Sequence, residues 1–169
     1  GPLLPQSPYA WSKYLFDRFV NQHINDFNII VQGFRYFNVY GPHEDHKGNQ
    51  ASPYTKFTTQ AKQSKIINVF ENSEDYKRDF VCVDDICVIH EKMLSVDKTD
   101  IWNIGTGSPE SFENVARTIA KRYGAEIKYI PMPDNLKGQY QKYTCADLTK
   151  LNSVIDHKWI DIKDYINGS

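Results

Sequence analysis

Residues 29–42 read Ile-Ile-Val-Gln-Gly-Phe-Arg-Tyr-Phe-Asn-Val-Tyr-Gly-Pro. The apolar run Ile29-Ile30-Val31 leads into Phe34-Arg35-Tyr36-Phe37, and Gly41-Pro42 closes the unit. So short a continuous run predicts a strand over 29–37 buried on both faces, as strands of a parallel sheet are. Upstream, Leu15, Phe16, Phe19, Val20 and Ile24 recur at helical spacing until Asp26-Phe27-Asn28 breaks the pattern. Downstream, a polar loop runs through Asn49. The later pattern predicts helices near 52–64, 84–95 and 111–123, and strands near 66–70, 79–83, 101–104 and 126–130. Helices and strands alternate, so the class is α/β.

Composition narrows the function. The chain has 169 residues, enough for one domain with a real core. Twenty basic and 21 acidic residues leave a net charge of −1, which excludes the basic footprint a nucleic-acid partner requires. Hydrophobic residues make up 40% and aromatics 14%, a globular composition. No apolar run approaches the roughly 20 residues needed to span a bilayer, so no membrane partner is expected. The opening GPLLPQSP lacks the basic start and apolar stretch of a secretory leader. Cys82, Cys87 and Cys145 are odd in number and lack metal-ligand spacing; they read as reduced thiols of a cytoplasmic protein.

The densest local chemistry is Tyr9-Ala10-Trp11-Ser12-Lys13. Tyr9 and Lys13 lie four apart and share one helix face. A phenol titrates near pH ~10, but a neighbouring ammonium stabilises the phenolate and opens a proton-transfer role. The same spacing arises on many exposed helix faces, so the pair alone decides nothing.

Its context does. After Tyr9 and Lys13 come, in order, the stretch Gly33 to Pro42, then Arg78-Asp79-Phe80-Val81-Cys82-Val83-Asp84-Asp85, then Asn103-Ile104-Gly105-Thr106-Gly107. This ordered set resembles the extended short-chain dehydrogenase/reductase family, the sugar-nucleotide epimerases and dehydratases. Within that family, Glu44-Asp45-His46-Lys47-Gly48, Phe70-Glu71-Asn72-Ser73 and Lys137-Gly138-Gln139-Tyr140-Gln141 are most similar to the branch that acts on ADP-heptose. The likeness runs from about Ser7 to Leu151 and covers the second half of the family's protein.

The resemblance implies the remainder of a Rossmann-like parallel sheet plus a smaller α/β substrate-binding domain. Residues 1–42 would be the C-terminal part of the dinucleotide-binding domain. Residues 43–169 would be mainly substrate-binding, with segments near 79–105 returning to the first. It implies NADP as cofactor, an ADP-heptose nucleotide-sugar as partner, a homo-oligomer, and a role in the bacterial cytoplasm supplying lipopolysaccharide assembly. Tyr9 would be one catalytic acid/base, Lys13 would hold the nicotinamide ribose and tune Tyr9, and Lys47 would be the second acid/base. Val39 would line the cofactor pocket. Asn38, Asn49, Lys56, Phe70, Glu71, Asn72, Ser73, Arg78 and Tyr140 would contact the nucleotide-sugar. Asn49 stands where the family pattern has serine, and Lys56 where it has histidine; both still donate hydrogen bonds.

Each residue also has a plainer account. Lys47 sits among Glu44, Asp45 and His46, as in any solvated charged loop, and Tyr140 could be core. Arg78 beside Asp79 could be a structural ion pair, although a guanidinium fork suits a diphosphate better than an ammonium does. Gly105-Thr106-Gly107 reads as a strand-to-helix turn, because the rest of a dinucleotide motif is missing. His43 and His46 have no carboxylate and cysteine set to complete a zinc site, so no metal is expected.

No glycine-rich turn opens a helix before Tyr9, and the family's upstream catalytic Ser or Thr is missing. The expectation is a C-terminal fragment, inactive alone, with a sheet edge exposed on the 29–37 strand. Two other functions remain open: another sugar-nucleotide enzyme, such as a UDP-hexose 4-epimerase or a dTDP-glucose 4,6-dehydratase, and a binding module that has lost the chemistry.

Overall fold

Ser7 and Pro8 start the first helix. The Ser7 hydroxyl accepts from the Ala10 amide at 3.1 Å, and Pro8 occupies a position whose N–H would be unpaired anyway. In the computed structural model, which describes Pro5, residues 7–134 and residues 141–168, that helix is α1 (Pro8–Gln22). The chain continues through β1 (Gln32–Tyr36), β2 (Asn38–Tyr40), a 3-10 turn (Asp45–Gln50), α2 (Pro53–Ser64) and β3 (Ile66–Phe70). A second 3-10 turn (Ser73–Asp75), β4 (Lys77–Arg78), β5 (Phe80–Cys82), α3 (Val83–Met93) and β6 (Asp100–Ile104) follow. The last elements are β7 (Glu110–Ser111), α4 (Phe112–Tyr123), β8 (Glu126–Ile130) and two short helices, α5 (Thr149–Asn152) and α6 (Ile162–Asn167).

The helix ends follow local chemistry. α2 is capped by the Ser52 hydroxyl with Pro53 in its first turn, and α4 by Ser111, whose oxygen accepts from the Asn114 amide at 3.1 Å. α4 stops at Gly124, which takes the left-handed conformation (φ 59°) that costs a glycine nothing. Its apolar stripe, Phe112, Val115, Ala116, Ile119 and Ala120, is buried throughout.

Pairing is mostly parallel. β1 runs beside β6, β2 beside β5 and β3 beside β8, all parallel, whereas β4 and β7 are antiparallel. The 29–37 strand departs from expectation. Ile29 and Ile30 lie outside it and are 73% and 50% exposed, and the residues of β1 are only partly buried. The run also divides at Phe37. Its amide donates to the Ile104 carbonyl at 3.0 Å, while the next amide, of Asn38, donates to the Asp79 carbonyl at 2.9 Å. The chain changes neighbours there, from β6 to β5, and a long-range exchange of that kind leaves no trace in local apolar spacing.

Burial on both faces is found one strand further in, at β5. Phe80 and Cys82 join a core with Tyr40, Ile67, Val69, Val115, Ile119, Ile162 and Ile166. Val81, pointing the other way, joins Ile89, Met93, Trp102, Ile104 and Leu151. β5 therefore separates two apolar layers, and β2 beside it carries its carboxyl end to the loop at Gly41. α1 contributes little to either layer: Val20 is its one buried residue, and Trp11, Leu15, Phe16 and Phe19 are exposed. No helix among the described residues is long and apolar enough to cross a membrane.

Candidate functional site

Tyr9 and Lys13 are where their spacing puts them. The Lys13 Nζ lies 5.3 Å from the centre of the Tyr9 ring, and both side chains stand exposed on α1. Asn38 and Val39 sit on β2, half-buried, with Asn38 opposite Phe80 and Val39 opposite Val81. Ligands of open parallel sheets gather at the carboxyl ends of the strands, and β2 ends in the loop that carries Lys47.

That loop is organised around a residue whose sequence neighbours hide its role. Glu44 is 5% exposed, although residues 45–50 after it are all exposed. Its Oε1 accepts from the Lys47 Nζ at 2.9 Å, and its Oε2 from the Ser52 and Thr55 hydroxyls at 2.5 Å each. Burial alone pushes this carboxyl up, but the hydrogen bonds from Ser52, Thr55 and Lys47, with the Lys47 charge, outweigh it and leave the carboxyl below the usual glutamate range. Asn49 is exposed in the same loop and Lys56 is exposed on α2.

The Phe70–Ser73 stretch turns out of β3. Phe70 is half-buried, Glu71 and Asn72 are exposed, and Asn72 takes a left-handed conformation (φ 59°). Glu71 and Asn72 border an open hollow of about 560 Å³, completed by Glu74, Glu113, Arg117 and Tyr129. Ser73 is buried, and its hydroxyl donates to Glu113 at 2.5 Å. Glu113 also accepts from the Tyr129 hydroxyl and the Arg117 Nε, at 2.5 and 2.8 Å. Sequence reasoning missed Glu113. Its one local signal is an acidic residue in the first turn of α4, and its partner Ser73 lies 40 residues away.

Arg78 is buried at the end of β4, with one guanidinium nitrogen donating to the Lys77 carbonyl at 2.9 Å and its charge 5.5 Å from the Phe112 ring centre. Asp79, fully buried, accepts four hydrogen bonds. The amide and hydroxyl of Thr106 reach Oδ1 at 2.7 and 2.8 Å, and the amides of Gly107 and Ala146 reach Oδ2 at 2.9 and 2.8 Å. These fill the acceptor positions of a carboxylate. The Gly105-Thr106-Gly107 turn thus donates to a protein carboxylate. Gly105 is required there, since a Cβ would lie 2.7 Å from that of Ala146 and 2.8 Å from Asp79 Oδ2.

The segment Lys142–Thr144 lies along β4: the Lys77 amide donates to Lys142 at 2.8 Å, and the Thr144 amide to Lys77 at 3.2 Å. Tyr140 falls outside the described residues. The structure brings Asn38, Phe80 and the Asp79 anchor together, and Lys47 with Glu44. Among the described residues, no hydrogen bond or ion pair joins α1 to the Lys47 loop. Nor does any group of three or more His, Cys, Asp or Glu there form a metal site.

Glu113, like Glu44, sits below the usual glutamate range. Burial acts upward, and the bonds from Ser73, Tyr129 and Arg117 overcome it. A depressed folded value contributes stability above the unfolded value, about 4.3, which is lost as pH falls through the folded one. The thermal midpoint of the full-length protein is therefore expected to fall below about pH 4.3, and Glu113→Gln to flatten that fall. An unchanged acid slope in the variant would clear Glu113 of the effect.

Residues 1–105 match the NAD dependent epimerase/dehydratase family. The chain belongs to that family. Its fold is that of the family's Rossmann-like members, with parallel strands between helices. It is similar to Helicobacter pylori ADP-L-glycero-D-manno-heptose-6-epimerase, at 29% identity and a TM-score of 0.85 over 98% of this chain and 50% of that one. Thermus thermophilus UDP-glucose 4-epimerase, solved with NAD, is 26% identical with a TM-score of 0.73, over 90% of this chain and 49% of that one. Thermotoga maritima UDP-glucose 4-epimerase, solved with UDP-glucose, is 25% identical with a TM-score of 0.75, over 90% and 51%. The chain spans about half the length of these family members.

Proposed function

We propose that the full-length protein is an NADP-dependent epimerase that inverts carbon six of ADP-D-glycero-D-manno-heptose to give the L-glycero epimer. The observation that carries this reading is Lys47. It is a second ammonium on the loop after β2, separate from the Tyr9–Lys13 helix and held by a buried carboxylate. The 29% identity to the Helicobacter pylori enzyme supports the same substrate.

The residues present fit the nicotinamide end of a dinucleotide. α1 presents an exposed phenol with an ammonium on the same face, and Val39 is half-buried in the middle of β2. Lys13 would hold the ribose and Val39 would line the ring's pocket. When bound, the dinucleotide supplies reversible hydride removal and return. Tyr9 takes or returns the hydroxyl proton on one side of the sugar. Lys47 does so on the other, because the oxygen points differently in the two epimers. Arg78 would meet the diphosphate, and Asn38, Asn49, Lys56, Phe70, Glu71, Asn72, Ser73 and Tyr140 would surround the rest of the nucleotide-sugar. A homo-oligomer in the cytoplasm remains part of this proposal.

The full-length protein, given NADP and either ADP-D-glycero-D-manno-heptose or UDP-glucose, is expected to interconvert the heptose epimers and to leave UDP-glucose unchanged. Conversion of UDP-glucose to UDP-galactose instead would move the protein to the 4-epimerases, in keeping with its likeness to the Thermus and Thermotoga enzymes. Binding of ADP-heptose with no conversion would make it a binding module.

A further inference from the structure

The proton-transfer scheme leaves Glu44 unused, and its burial needs a reason. An exposed lysine–glutamate pair on a loop contributes almost nothing to stability, and burying a carboxylate is costly unless its oxygens are satisfied. Here the Glu44 side chain is 6% exposed and its partner's 40%. The carboxylate is fixed independently of Lys47, mainly through its other oxygen. Ser52 and Thr55 donate their hydroxyls to Oε2, and both stand at the start of α2, where Ser52 is the N-cap. Lys47, by contrast, has a flexible four-carbon stem in a 3-10 turn kinked at Gly48 (φ 51°, ψ −121°). The loop backbone closes on the same residue, since the Lys47 amide donates to the Glu44 carbonyl at 2.9 Å.

We propose that Glu44, clamped to the first turn of α2 by Ser52 and Thr55, is a positioning residue that orients the Lys47 ammonium towards the substrate. The inference rests on the proposed role of Lys47 in proton transfer. A lysine held at its tip by one fixed acceptor keeps two of its three N–H bonds free, aimed along a set direction. Released from it, the same lysine spreads over many rotamers, and misplacement of a reacting group by about 1 Å can cost up to about 100-fold in rate. Glu44 therefore touches neither substrate nor cofactor; it acts through Lys47.

The test is a double-mutant cycle on kcat and KM in the full-length protein, with ADP-D-glycero-D-manno-heptose as substrate and the thermal midpoint of every variant measured. Glu44→Gln, which keeps the shape and removes the charge, is expected to lower kcat by about 10- to 100-fold with little change in KM. Lys47→Ala is expected to lower it by about 100-fold or more. The double variant should be no slower than Lys47→Ala alone, since a residue acting through another has nothing left to position. Thr55→Val, which removes one clamp and leaves the carboxylate in place, should show a smaller kcat loss that also vanishes in the Lys47→Ala background. It keeps the test open should Glu44→Gln fold poorly. Multiplying losses in the double variant, or full turnover in Glu44→Gln, would overturn the positioning role while Lys47 keeps its own. Full turnover in Lys47→Ala would overturn the parent reading and this inference together.

Discussion

Tyr9→Phe in the full-length protein lowers turnover by about 10²- to 10⁴-fold, the range typical of removing a general acid/base. The substitution takes away one oxygen and leaves the ring. Tyr9 is 72% exposed, and the Lys13 ammonium 5.3 Å from its ring centre meets a π face that phenylalanine also offers. The thermal midpoint is therefore expected to stay where it is, so that any loss of rate belongs to chemistry and not to folding. Lys13→Met should also slow the reaction but raise the KM for the dinucleotide as well, because the ammonium is proposed to hold the ribose. A Tyr9→Phe protein that epimerises at the original rate would remove Tyr9 from the mechanism.

The second large effect is one of stability. Asp79→Ala strips the acceptor from three backbone amides and one hydroxyl, of Thr106, Gly107 and Ala146. Unsatisfied buried donors cost about 1–3 kcal/mol each, but some recover by relaxation or by admitting water, so the expected loss is about 3–5 kcal/mol. Asp79→Asn keeps the volume but turns an amide NH₂ towards two of the donors, and should lose somewhat less. For a protein of this size class, each kcal/mol lowers the thermal midpoint by about 2–4 °C. Thermal unfolding of the two variants beside the wild type measures it. A midpoint within one degree of wild type for Asp79→Ala would mean that the turn is held by something other than this carboxylate.

The fold was legible wherever the information is local. α4 was expected over 111–123 and is found over Phe112–Tyr123, because a capping serine, a periodic apolar face and a terminal glycine all lie within one stretch. β3 and β8 were equally plain, at 66–70 and 126–130. The 29–37 strand was legible in place, as β1 within it, but not in burial, since Ile29 and Ile30 lie exposed before it. The change of partner at Phe37, where it ends, depends on β5 and β6, more than 40 residues away. α5 and α6, four and six residues long, are too short to carry periodicity and owe their form to packing on the two cores. At the candidate site the same division holds. That Tyr9 and Lys13 share a face of α1 could be read from spacing, though not what they do, whereas Glu44 looked like one charge among several. What marks it out is burial against Ser52 and Thr55, and burial is not a property of the residue.

Every bond that holds Glu44 comes from within twelve consecutive residues, at separations of 3, 8 and 11 positions. The bonds that hold Asp79 reach 27, 28 and 67 positions along the chain. The Lys47 loop is in that sense a cassette. It carries its own hydrogen-bonding fixings between Glu44 and Thr55, while the Tyr54 ring within it packs on Tyr40 and Tyr165. The surroundings of Arg78 have no such independence, because the residue next to it ties two distant segments, at 106–107 and at 146, to its own strand. Within the proposed site, the loop that carries Lys47 is thus held by bonds from its own neighbourhood, and the strand end at Arg78 by bonds that reach across the fold.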